Sequence, residues 1–263
     1  MVKIVVITAN HWRHHYLVNR LIGHFDVLGV VSETKRPLQS GRNPEEDKII
    51  KAYDREWEEK ERAYFGNETE FRLAENKILR VDYQSASGKG AFEWIKKLTP
   101  QYLILFSSSV IKDPLLALYH GRLINMHLGL TPYYRGSAAT FWPLVMGEPE
   151  CVGATVHLVV KQVDAGSVLG QSRPRLVPGD SHRDVSNKNV ISGTDLLSRC
   201  ITLYASGKIA PQRQDLSVGR VFKHDEFSAE AIMKMRENFS SGMIENYLKY
   251  KGERDRKFPI VEA

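Results

Sequence analysis

Asn125 and His127 stand two residues apart at the end of Leu123 to His127, a run with the apolar character of a buried strand. Residues two apart on a strand project to the same side, so the amide and the imidazole share one face while Met126 meets the opposite layer. A carboxamide donates hydrogen bonds without changing charge. An imidazole, with an ordinary pKa of about 6.5, gives and takes a proton near neutrality. A fixed donor beside a proton shuttle suits acid–base chemistry, and the loop that follows, rich in Gly and Pro (Gly129, Pro132, Gly136), leaves space for a ligand. The same two residues also read as polar groups satisfied locally at a strand terminus, and a lone N-x-H does not separate the two readings. A carboxylate, Asp164, lies in a short turn between two further apolar runs near 152–160 and 167–173.

The elements that must carry these residues follow from periodicity. The first eight residues form a Val- and Ile-rich strand, and a helix near 12–24 places Leu17, Leu21 and Ile22 on one face. Val27 to Val31 then completes strand–helix–strand, the start of a parallel sheet. The pattern resumes with a strand at 78–81, a helix at 87–98, a strand at 102–106, a short helix at 114–119 and the 123–127 strand. A helix from about 192 to 207 closes at Gly207 in the manner of a C-cap. This is an α/β, Rossmann-like plan with a mainly parallel, seven-stranded sheet between helices. In such sheets ligands gather beyond the carboxyl ends of the strands. Residues 1–207 read as the catalytic domain and 208–263 as a short C-terminal extension. Within the first unit, 34–66 is an excursion: a polar, turn-rich stretch over 34–43, then a charged helix capped by Asn43 with Pro44 at its first position and a narrow stripe of Ile49, Ile50, Tyr53 and Trp57.

Composition excludes several classes. The turn after the first strand reads Thr8-Ala9-Asn10-His11, with no G-x-G-x-x-G, which argues against a dinucleotide-binding dehydrogenase. The formal charge is +6, but residues 34–66 carry eight basic and eight acidic side chains and 208–263 carry eleven and nine. No basic stripe results, so no nucleic-acid partner is expected. No apolar run is long enough for a membrane span. Two cysteines, Cys151 and Cys200, lack ligand spacing and read as reduced thiols of a cytoplasmic protein without a metal.

Asn125-Met126-His127-Leu128-Gly129-Leu130-Thr131-Pro132-Tyr133-Tyr134-Arg135-Gly136 resembles the asparagine-x-histidine loop of the folate-dependent formyltransferases. Val163-Asp164-Ala165-Gly166 looks like that family's aspartate-plus-glycine turn, and Gly153 to His157 resembles the strand before it. The resemblance is strong over roughly 100–175, weaker over 1–33 and 78–99, and absent over 34–66. It implies transfer of a formyl group from N10-formyltetrahydrofolate to an amine without a metal. Asn125 and His127 would stabilise the tetrahedral oxyanion, His127 would shuttle protons, and Asp164 would hold the imidazole and help to deprotonate the amine. The donor pocket implied by position comprises Ser108, Ser109, Val110, Ile111, Val163 and Asp164, with serine hydroxyls in place of some main-chain contacts. Gly129, where many relatives have serine, is expected to affect the shape of the loop and not the three catalytic positions.

Extra elements at 34–66 and 208–263, and a tail too short for a tRNA-binding barrel, suggest a nucleotide-linked amino sugar as acceptor. Glycinamide ribonucleotide, methionyl-tRNA or water in a formyl-folate hydrolase are the alternatives, as is a non-catalytic nucleotide- or nucleic-acid-binding protein of this fold. Apolar residues of the extension (Ile232, Met235, Phe239, Met243, Ile244, Tyr247, Leu248) need cover, which a homodimer would supply. His11, Arg13, His14 and His15 read as an exposed polar helix start or as a phosphate site. Tyr133, Tyr134, Phe141 and Trp142 either stack on an acceptor or pack beneath the loop, and 250–257 reads as a solvated tail.

Overall fold

The computed structural model describes residues 1–34 and 40–263; part of the turn-rich stretch expected over 34–43, residues 35–39, lies outside the described residues. In chain order the elements are β1 (Lys3–Ala9), α1 (Trp12–Ile22), β2 (Asp26–Glu33), α2 (Pro44–Phe65), β3 (Ile78–Val81), α3 (Lys89–Leu98), β4 (Tyr102–Phe106), α4 (Leu115–Leu118) and β5 (Leu123–His127). There follow β6 (Tyr134–Gly136), α5 (Phe141–Val145), β7 (Ala154–Leu158), β8 (Val168–Ser172), α6 (His182–Ala205), β9 (Arg220–Phe222), α7 (Ala229–Ser240), α8 (Met243–Lys249) and α9 (Lys251–Lys257).

Seven strands form one sheet in the order β3-β2-β1-β4-β5-β7-β8. The first five are parallel, and β7 and β8 add as antiparallel neighbours. Alternation sorts the side chains between two layers. Ile4, Val6, Ile104, Ile124 and Met126 pack with α1 and α6, while Val5, Ile7, Leu103, Leu105 and Leu123 pack with α3 and α4. Asn125 and His127 share the parity of Leu123. Chain order reverses at β1, between β2 and β4, and the main cleft opens at that reversal beyond the carboxyl ends of the strands.

A second core lies outside the sheet. Ile232, Met235, Met243, Ile244 and Tyr247 are buried against Tyr134, Phe141, Trp142, Leu144 and Phe222. The chain itself therefore covers most of the apolar residues that suggested a homodimer. α2 has the expected Asn43 cap, its Oδ1 accepting from the Glu45 and Glu46 N–H groups, and packs on α1, α6 and α7. The stretch read as a solvated tail is helical. Most of α9 is exposed, but Arg254 pairs with Glu150 at 2.7 Å, and Asp255 accepts from the Tyr247 hydroxyl at 2.9 Å.

α6 begins ten residues before its expected start. Its first turns are polar yet buried, with Arg183, Asn187 and Asn189 all inside, so no apolar stripe marked them. The signal that was present is local: Ser181 and Asp184 form a capping box.

Candidate active site

β5 delivers Asn125 and His127 to the cleft, and the turn between β7 and β8 delivers Asp164. The three side chains meet. Asp164 Oδ2 lies 3.4 Å from His127 Nδ1, and Asp164 Oδ1 lies 3.5 Å from Asn125 Nδ2. His127 is 8% exposed, and its Nε2 stands 3.1 Å from the carbonyl oxygen of Tyr134. Both ring nitrogens thus face acceptors, an arrangement that a doubly protonated ring satisfies completely.

Two partners of Asp164 were not foreseen. The N–H of Gly136 donates to Oδ2 at 2.9 Å, and His157 Nε2 lies 3.4 Å from Oδ1. Burial alone would raise the Asp164 carboxyl, but His127, followed by His157 and the Gly136 N–H, outweighs it and holds the group well below the usual carboxylate range. His157 sits on β7 opposite Asn125, with Nδ1 2.9 Å from the carbonyl oxygen of Leu158. Its Nε2 stands 3.1 Å from Asn125 Nδ2 as well as 3.4 Å from Asp164 Oδ1. The Asn125 amide thus faces both His157 Nε2 and, at 3.5 Å, Asp164 Oδ1. The register Asn125 opposite His157 was available from the strand Gly153 to His157 once its pairing was known.

Backbone geometry explains two glycines. Gly136 has φ 86°, and a Cβ there would lie 2.3 Å from the carbonyl oxygen of Phe222. At Gly129 a Cβ would stand 2.7 Å from His127 Nε2 and 2.9 Å from the Tyr134 carbonyl oxygen. Gly129 therefore does bear on His127, contrary to expectation: a serine there would press on the imidazole.

Ser108, Ser109, Val110 and Ile111 line the cleft at the end of β4, and Val163 and Asp164 line it from the facing turn. Ile111 is 4% exposed, with its side chain in the α3/α4 core. Ser109 is committed inward. Its N–H and its hydroxyl each donate to the buried Glu33 carboxylate at 2.7 Å, and that carboxylate also accepts from the Ala86 N–H at 3.2 Å. The Ser109 hydroxyl thus fastens the loop to β2 and is not free to replace a main-chain contact to a ligand. Val110 and Val163 are 61% and 43% exposed, an apolar mouth fit for a flat ring.

The far half of the cleft, whose total volume is about 750 Å³, is walled by Tyr53 from α2, Phe141 from α5, His182 from α6, and Lys223 and His224 after β9. Tyr53 stacks on His182, with centroids 5.4 Å apart, and Arg183 lies 3.6 Å over the Tyr53 ring. Burial, with Arg183 and Arg236 nearby, pushes His182 down to about 3 and keeps it neutral. Of the four loop aromatics, Phe141 lines this wall, while Tyr134 and Trp142 stack against Phe222 in the second core. Tyr133 packs edge-on against Phe258.

The cluster at the start of α1 is not exposed, although Arg13 borders the main cleft. Arg13, His14 and His15 are buried, and the anion at this helix N-terminus is the chain's own Glu61. Its carboxylate accepts from the Arg13 N–H at 3.1 Å, from Arg13 Nε and Nη2 at 2.9 and 2.7 Å, and from His11 Nδ1 at 2.6 Å.

The likenesses to known proteins agree with this geometry. Over 92 residues the chain is 35% identical to a methionyl-tRNA formyltransferase of Streptococcus mutans, covering 35% of this chain and 29% of that protein. Over 239 residues it is 26% identical to the methionyl-tRNA formyltransferase of Clostridium tetani, covering 88% and 68%. In fold it is similar to the phosphoribosylglycinamide formyltransferase of Anaplasma phagocytophilum (TM-score 0.57, 14% identity, 81% of this chain and 96% of that one). It is equally similar to a 4-N formyltransferase of Francisella tularensis (TM-score 0.56, 19% identity, 86% and 78%). The formyl transferase family model matches residues 2–201, a span that contains Asn125, His127 and Asp164, and the chain belongs to that family.

Proposed function

We propose that this chain transfers the formyl group of N10-formyltetrahydrofolate to the primary amine of a nucleotide-linked amino sugar. The observation that carries the acceptor is the far wall of the cleft. Tyr53, His182, Lys223 and His224 come from α2, the polar start of α6 and the segment after β9, and they add aromatic and cationic surface beside the catalytic three. Such a wall suits a base and its phosphates. The donor fits the other half, with its pterin against Val110, Val163 and the loop Ser108 to Ile111.

In this reading the amine attacks the formyl carbon, and negative charge grows on the formyl oxygen. The amide of Asn125, turning from its 3.5 Å contact with Asp164, and a protonated His127 meet that charge. Asp164, ionised across the working range, keeps His127 oriented and accepts the proton shed by the new amide nitrogen, directly or through a water. As the C–N10 bond breaks, N10 recovers a proton from His127, and the proton taken up by Asp164 passes to the imidazole, so both groups return to their starting states. Cytoplasmic residence is part of the same reading.

Methionyl-tRNA is the second reading, favoured by the 26% identity to the Clostridium tetani protein over 88% of this chain. A panel decides between them: UDP- and dTDP-linked amino sugars, glycinamide ribonucleotide and methionyl-tRNA, each offered with 10-formyltetrahydrofolate and read by the mass gain of one formyl group. Transfer to an amino-sugar nucleotide is expected. Efficient transfer to methionyl-tRNA or glycinamide ribonucleotide, and to no sugar nucleotide, refutes the proposal.

A further inference from the structure

We propose that Gln214 is a positioning residue for formyl transfer, its side-chain amide holding the Asp164 turn so that the carboxylate stands between His127 and His157. The inference rests on the catalytic reading of Asp164. Asp164 has φ 49°, the left-handed region that a non-glycine residue keeps only when its surroundings hold it there. Within the turn the support is slight: one main-chain hydrogen bond, from the Ala165 N–H to the Gln162 carbonyl, at 3.4 Å. Gln214 adds to this and to the 2.9 Å hydrogen bond from the Leu158 N–H to the Ser167 carbonyl at the base of the turn. Its Nε2 donates to the carbonyl oxygens of Asp164 at 2.9 Å and of Gly166 at 2.6 Å, one on each side of Ala165. Two carbonyl oxygens fix the orientation of the amide, because the reversed group would set oxygen against oxygen.

The glutamine is itself anchored. Gln212, two residues earlier, exchanges both main-chain hydrogen bonds with Val168 on β8, at 2.7 and 2.8 Å. A few residues later β9 pairs with β6, whose Gly136 N–H grips the Asp164 carboxylate. One segment, 212–222, therefore secures Asp164 at both ends: Gln214 at the main chain, and β9 at the side chain by way of β6.

The test uses the full chain and three substitutions. Gln214→Leu keeps the size of the side chain and removes both donors; Gln214→Glu retains a donor only while protonated; Arg213→Ala, at an exposed neighbour, is the control. The titration of the Asp164 carboxyl carbon, assigned by its loss in Asp164→Asn, is followed by carbon NMR and needs no acceptor. In Gln214→Leu that titration moves up towards the usual carboxylate range. With the amine chosen from the acceptor panel, kcat falls by roughly 10- to 100-fold while the donor KM holds, since a misplacement of about 1 Å carries a cost of that order. In Gln214→Glu, activity relative to wild type climbs as the pH is lowered. An unmoved Asp164 titration and wild-type kcat in Gln214→Leu overturn the proposal. If that variant does not fold, a pH-independent ratio in Gln214→Glu overturns it. Should Asp164→Asn prove fully active, this proposal and the catalytic reading of Asp164 fall together; loss in Asp164→Asn with none at Gln214 removes only the present inference.

Discussion

Replacing Asp164 by Asn preserves the shape of the side chain and takes a negative charge from between His127 Nδ1 and His157 Nε2, each 3.4 Å away. The Asp164 side chain is 12% exposed, so water screens it little. Opposite unit charges at about 4 Å attract by about 4 kcal/mol at an effective dielectric constant of about 20. A transition state that loads positive charge onto His127 forfeits that attraction in the variant. At about 1.4 kcal/mol per decade, kcat should fall by about 10³, within a range of roughly 10² to 10⁴. The Asn oxygen can still accept from the Gly136 N–H, so folding and the donor KM should survive. The assay is steady-state formyl transfer, with thermal unfolding and donor binding measured in parallel. Because Asp164 titrates far below the working range, the deficit should be the same at every pH from mildly acidic to mildly basic. A kcat within about threefold of wild type would refute the assignment, because among the described residues no other carboxylate pairs with His127.

Asn125→Ala should lower kcat by about 10²–10³ with little change in the donor KM, the usual loss for one oxyanion donor, read in the same assay. Gly129→Ser should cost activity comparable to a loss of His127 while the fold persists, visible as a displaced imidazole signal by NMR. Glu61→Gln leaves Arg13 and His11 facing a neutral group and should destabilise the fold by about 3–5 kcal/mol in urea melts at neutral pH. The Glu61 carboxyl is held down to about 2, against burial, by His11 and Arg13. Its contribution is therefore complete above the unfolded value of about 4.3 and lost as the pH falls through the folded one, so the variant should be less sensitive to acid in that window. Tyr53→Ala should raise the acceptor KM and leave the donor KM unchanged.

The parallel half of the sheet was legible because Val- and Ile-rich runs buried on both faces carry their own signature, and Asn125-x-His127 could be placed on one face from strand parity alone. Asp164 came from the motif, since nothing local shows that a turn forty residues away closes on β5. What stayed hidden depends on long-range contacts. His157 looked like an ordinary strand residue until antiparallel pairing set it opposite Asn125. Glu61 sat among eight acidic and eight basic side chains, and only the packing of α2 on α1 turns it into the anion of a helix N-terminus. The start of α6 hid behind buried polar residues, although its capping box was spelled out in Ser181 and Asp184. Gln214 gave no signal, because a side chain that serves two main-chain carbonyls has no motif.

The pairing of β9 with β6 has a consequence for how the enzyme is made. A ribosome delivers Asn125, His127 and Asp164 well before it delivers residue 220, and the loop carrying Gly136 lacks its neighbouring strand until then. Residues 261 and 263 arrive later still, when the Val261 carbonyl accepts from the Gln171 N–H on β8 at 2.7 Å and Ala263 settles against Gly170. A nascent chain halted after α6 would hold Asn125, His127 and Asp164 and no finished site. Activity in a growing chain should therefore appear only after residues 220–263 have joined the fold, and not rise in step with its length.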